Sequence, residues 1–175
     1  MNANFRYIFF TYLLFILSAT NVWANEDNKH LELYPRDASD VCVADGLQIR
    51  VTINGVKEEG IMKLELYNSD NGFLSKKGRL RSIRDKALNE PQLMCINVPK
   101  AGTYAIAGYH DRDGNRKLKK KWDFTPREPY GLSNNPEIKS RRIPKFEEAA
   151  FEVGEKGADI IINLVDLKAR KKDKN

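Results

Sequence analysis

Two acids, a histidine, two cysteines and a cluster of polar loop residues are where this chain has side chains capable of chemistry. His110 precedes Asp111, a pairing that would suit proton transfer if both side chains reached one site. Asp111, Asp113 and Asn115 alternate like the leading ligands of a calcium loop, in which closely spaced oxygens converge on a hard cation. Such a loop also needs glycine at its sixth position and glutamate at its twelfth, and here those are Arg116 and Trp122. Lys117, Lys119, Lys120 and Lys121 crowd the same stretch and oppose a cation. A turn made of Asp, Gly and Asn accounts for the same residues. Calcium is the only cofactor with candidate ligands, and weak or no binding is expected.

Gly131-Leu132-Ser133-Asn134-Asn135 falls short of a nucleophile elbow, which needs a second glycine and a following helix; Pro136 comes next instead. Glu128, Tyr130, Ser133, Asn134 and Asn135 nonetheless put a charge, an aromatic ring and several donors and acceptors within eight residues. Together with His110 they form the candidate ligand-binding set. The competing expectation is that Ser and Asn side chains satisfy backbone groups of their own loop. Cys42 and Cys95 lie 53 positions apart and are the only cysteines. In an oxidising compartment an even count reads as a disulfide, and closing that loop is worth about 4 kcal/mol in chain entropy. A thiol pair of Cys95 with His110 requires that the bridge be absent. Zinc is not expected, because the two cysteines, His30 and His110 include no close ligand pair.

The compartment is indicated by the amino terminus. Arg6 is followed by the uncharged apolar run Tyr7 to Leu17, and then Val22 and Ala24 flank a permissive cleavage point. Residues 1–24 therefore read as a secretory signal peptide, with the mature chain starting at Asn25. Ala19 offers an earlier cleavage point, and an uncleaved anchor is the competing reading. No later stretch approaches the length of a membrane helix, so the destination is periplasmic or secreted, with no membrane span once the leader is removed.

Residues 25–167 are expected to form one domain, since a chain of this length buries enough surface to fold on its core alone. The formal charge of the chain is +6, but Arg6 is the leader's only charge and residues 168–175 hold five bases against one acid, which leaves +1 on the domain. The basic character is thus a disordered tail rather than a face. Nucleic acid is not an expected partner, because the basic runs lack interleaved aromatics for base stacking beyond Trp122 and export argues against it. An envelope ligand or protein, anionic where charge matters, is the expected partner.

Strands must position these residues. Leu47, Ile49, Val51 and Ile53 alternate with polar residues, and Met62, Leu64 and Leu66 share one face with Lys63 and Glu65 on the other. Further strands are expected at Leu93 to Val98, Tyr104 to His110, Phe151 to Val153 and Ile160 to Val165. Leu80 to Leu88 and Lys145 to Ala150 read as short helices. The pattern predicts an all-β chain: an antiparallel β-sandwich with one or two short helices.

Three blocks in order, GTYAIAGYHDRDGNRKL from Gly102, REPYGLSNN from Arg127 and PKFEEAAFEV from Pro144, resemble a family of secreted bacterial proteins catalogued as domain of unknown function 2141. The resemblance implies a small exported β-sandwich and brings with it no established reaction or ligand. The expected function is therefore a non-enzymatic binding or envelope accessory module whose working surface is the loops HDRDGN and REPYGLSNN. The alternative is a periplasmic enzyme using His110 with Asp111.

Overall fold

A computed structural model describes residues 35–118, 126–138 and 142–167; the leader read over residues 1–24 and the basic tail over residues 168–175 lie outside the described residues. Among the described residues a 3-10 turn at Pro35–Asp37 is followed by eight strands and one short α-helix: β1 Gln48–Asn54, β2 Ile61–Tyr67, β3 Arg81–Lys86, β4 Gln92–Asn97, β5 Gly102–Asp111, β6 Tyr130–Leu132, α1 Phe146–Ala149, β7 Phe151–Val153 and β8 Ala158–Asn163. They form a β-sandwich. One sheet has the order β4-β1-β8, the other β3-β2-β5-β6, and β7 pairs with the start of β5.

Alternation sets the core. Ile49, Val51 and Ile53 of β1, Met94 and Ile96 of β4, and Ile162 of β8 meet Met62, Leu64 and Leu66 of β2, Ile83 of β3 and Ile106 of β5. All are buried, at roughly 1.5 to 3 kcal/mol per large aliphatic side chain. Gly60, just before β2, has φ +70°, and a Cβ there would lie 2.1 Å from the Asp111 carbonyl oxygen. Only glycine allows the turn to pass so close to the end of β5.

Three features differ from the periodicity. The stretch Leu80 to Leu88 is not a helix but contains strand β3, paired antiparallel with β2 through Ile83 opposite Leu64. Leu80, Ile83, Ala87 and Leu88 have helical spacing, but the pairing edge of β2 outweighs local preference. Strand β6 falls inside REPYGLSNN, which read as a loop. The pairing of β1 with β8 is parallel, Val51 opposite Ile160, whereas every other strand pair is antiparallel. No crossover helix is needed there, because the chain between β1 and β8 builds the whole second sheet.

The two sheets are tied together on both sides. Tyr130 of β6 exchanges backbone hydrogen bonds with Val165, just past β8, at 3.2 and 2.8 Å. On the opposite side residues 37–42 run as a strap between edge strands β3 and β4. Asp37 accepts from Arg84 at 3.1 Å, the Asp85 carboxylate accepts from the Ser39 N–H at 3.0 Å, and Asp40 pairs with Arg81. Cys42 is bridged to Cys95 of β4, with a Cα–Cα separation of 5.4 Å, as the cysteine count predicts. Among the described residues no helix is long and apolar enough to cross a membrane.

Candidate functional site

Strand β5 is apolar on both faces, with Tyr104 and Ile106 toward the core and Ala105, Ala107 and Tyr109 on the other side. A sheet of that kind is covered twice. The second cover comes from connections: Phe73 and Leu74 after β2, and Phe146 and Ala149 of α1, pack against Ala105, Ala107 and Leu132. Between this cover and the strands lies a pocket of about 360 Å³. Its walls are largely apolar, including Leu74, Leu118, Tyr130, Leu132, Ile143 and Pro144.

Its floor is charged. Lys63 and Glu65 alternate with the core residues of β2, so both project to the pocket side, and Lys63 is only 5% exposed. Glu65 is paired with both Lys63 and Arg79, and the Tyr67 hydroxyl donates to its other oxygen at 2.8 Å. The Lys63 ammonium also sits 5.2 Å from the centre of the Tyr109 ring, within cation–π range. Burial pushes the Lys63 ammonium below its usual range, with Glu65 pulling the other way. Burial works against the Glu65 carboxylate too, but the charge and hydrogen bond of Lys63, helped by Tyr67 and Arg79, outweigh it and hold the carboxyl below its ordinary value. Burial and the charge of Glu65 push the Tyr67 hydroxyl far up, which keeps it a donor.

Of the residues singled out from sequence, Tyr130 lines this pocket. His110 does not. It is fully buried on the core side of β5 and its Nε2 lies 2.6 Å from the Glu59 carbonyl oxygen, so it donates there. Asp111, its neighbour along the strand, projects to the opposite face, which separates the acid from the base that an enzyme would pair. Burial lowers the His110 pKa, and the ring is a neutral structural donor.

HDRDGN and the start of REPYGLSNN do lie together, since the His110 N–H donates to the Pro129 carbonyl at 2.9 Å. Carboxylate oxygens of Asp111, Asp113 and Glu128 come within 4.8 Å of one another. Asp111 accepts from the backbone N–H groups of Arg116 at 2.6 Å and Asn115 at 3.2 Å, and Asn115 Oδ1 accepts from the Lys117 N–H at 2.9 Å. These bonds shape a turn. Burial raises the Asp111 carboxyl, and Asp113 beside it adds to the effect.

The far end of REPYGLSNN is committed to backbone. Ser133 Oγ accepts from the Ile106 N–H at 2.9 Å and donates to the Ala149 carbonyl, and Asn134 donates to the Ala150 carbonyl. Asn135 donates to the Ile161 carbonyl at 2.8 Å and accepts from the Asn163 N–H at 2.7 Å, fastening the end of β6 to β8. Periodicity alone assigned Lys63, Glu65 and Arg79 to no site; the apolar face of Ala105 and Ala107 was the signal that the polar side of β2 would be covered. Residues 51–161 match a family described as uncharacterized protein conserved in bacteria, domain of unknown function 2141. No curated protein and no solved structure matches the chain.

Proposed function

The chain belongs to this uncharacterized bacterial family, and on that premise we propose that it is an exported, non-enzymatic binding module whose ligand seat is the pocket on the outer face of β2, β5 and β6. One observation carries the proposal: the buried Lys63 and the partly buried Arg79, both bonded to Glu65, are kept at the floor of a pocket whose walls include Leu74, Tyr130, Leu132 and Ile143. Burying charges costs several kcal/mol per ion unless pairing and hydrogen bonds offset it, so a paired charge centre at a cavity floor fits selection of a ligand better than stability. Tyr130, from the sequence-derived surface, is a wall of the seat, while Ser133, Asn134 and Asn135 hold that wall in place. Support for export comes from the leader pattern and from the bridge between Cys42 and Cys95, which suits an oxidising compartment.

The test is native mass spectrometry of protein recovered from the bacterial envelope. Ala107 faces the pocket directly opposite Glu65, so Ala107→Phe fills the space above the floor. The wild-type protein should retain a non-covalent small molecule that the variant lacks, with thermal stability comparable. Equal ligand content in both proteins would move the seat elsewhere. Amino-terminal sequencing of the same material should begin at Asn25, and a chain starting at Met1 would refute cleavage.

A further inference from the structure

Resting on the pocket as ligand seat, we infer that its ligand is an amphipathic anion whose oxyanionic head, carboxylate or phosphate, sits on Lys63 and Arg79 while an apolar body packs against Leu74, Tyr130, Leu132 and Ile143.

Charge sets the sign of the head. Among the described lining residues Lys63, Lys76, Arg79, Arg116, Lys117 and Arg142 are basic, and Glu65 alone is acidic. Glu65 already accepts from Lys63, Arg79 and Tyr67, so it is an internal brace for the two cations rather than a receptor for a cationic ligand. Lys63 has three N–H donors and Arg79 five, and among the described residues the hydrogen bonds of both go to Glu65. Donor capacity therefore remains on both. An oxyanion takes up such donors at short range, and the charge-assisted bonds gain strength from the low surrounding dielectric.

The walls set the body. Leucine, isoleucine and tyrosine side chains enclose the space above the charges, which an inorganic ion alone would leave unfilled. A volume near 360 Å³ admits a head and a short chain or ring, not a length of polymer. Exposed Lys76 and Lys117 at the same pocket add positive potential that draws an anion toward it.

Isothermal titration of the full exported protein with octanoate, octyl phosphate, octanol, octylamine and inorganic phosphate tests this. At least one of octanoate and octyl phosphate should bind about tenfold or more tighter than octanol, and octylamine should bind weakest. The preferred head distinguishes a carboxylate ligand from a phosphorylated one. Arg79→Gln, on a partly exposed side chain that can be lost without unfolding the sheet, should weaken the anion about tenfold while leaving octanol unchanged. Octanol binding as tightly as the anions, with Arg79→Gln indifferent and Ala107→Phe blocking it, overturns the anionic head and leaves the pocket as ligand seat. Inorganic phosphate binding as tightly as octyl phosphate overturns the apolar body. Anion binding unaffected by Ala107→Phe overturns the inference and the seat together. If none of the probes binds, the mass of the molecule retained from the envelope decides: an acidic amphiphile upholds the inference, and a neutral or basic molecule overturns it.

Discussion

Asp40 and Arg81 join the strap to the edge of β3, and the same aspartate reaches the other sheet, its own N–H donating to the Cys95 carbonyl at 2.8 Å while its carboxylate accepts from the Asn97 N–H at 2.6 Å. One residue thus spans the gap between β3 and β4, and the Cys42–Cys95 bridge lies two positions further along the chain. Replacing both cysteines with serine should cost about 4 kcal/mol, the loop entropy of the bridge, measured by urea unfolding. Natively exported protein should also weigh two hydrogens less than its reduced form. Two alkylatable thiols in that material would refute the bridge.

Acid should loosen the same strap. The hydrogen bond from Arg81 outweighs desolvation and holds the Asp40 carboxyl below its ordinary range. A depressed carboxyl contributes stability that is present above the unfolded value, near 3.9, and lost as pH falls through the folded value. Asp40→Asn should therefore lower the melting temperature at pH 7 and converge on the wild type as pH falls through the depressed folded value. A constant difference across that range would contradict the assignment.

His110 should act in a separate window. Its folded pKa is lowered by burial, so the unfolded chain takes up the proton first and stability falls as pH drops below about 6.5. His110→Gln keeps a donor for the Glu59 carbonyl without a titrating ring and should flatten the stability profile as pH falls below about 6.5. A slope identical to wild type there would show that the ring is charged in the fold.

Ser133 and Asn135 should prove to be fasteners. Asn135→Ala removes both bonds to β8 and should cost about 1 to 3 kcal/mol in urea unfolding, with octanoate or octyl phosphate affinity changed less than about twofold. A large loss of affinity at unchanged stability would return Asn135 to the ligand surface.

Calcium at millimolar concentration should leave the melting temperature unchanged. Asp111 already receives the Asn115 and Arg116 N–H groups, and Lys117 stands in the same loop. Micromolar calcium affinity in calorimetry, abolished by Asp111→Ala, would overturn this expectation.

Strands β1, β2, β4, β5, β7 and β8 were legible because each has apolar residues every second position, and burial against one opposing sheet needs nothing more. The cysteine pair was legible by count. Strand β3 was not, because on the face that carries Ile83 it places Arg81 and Asp85, and those charges are satisfied only by strap residues some 40 positions earlier. The pocket was hidden for a related reason. Lys63 and Glu65 have the periodicity of a solvated face, and only the return of the segments around Phe73 and Phe146 over that face turns it into an interior. Likewise His110 and Asp111 are adjacent in sequence, but the pleat of β5 sends them to opposite sides. Local alternation decides which residues share a face; which faces are covered, and by what, depends on contacts between segments far apart in the chain.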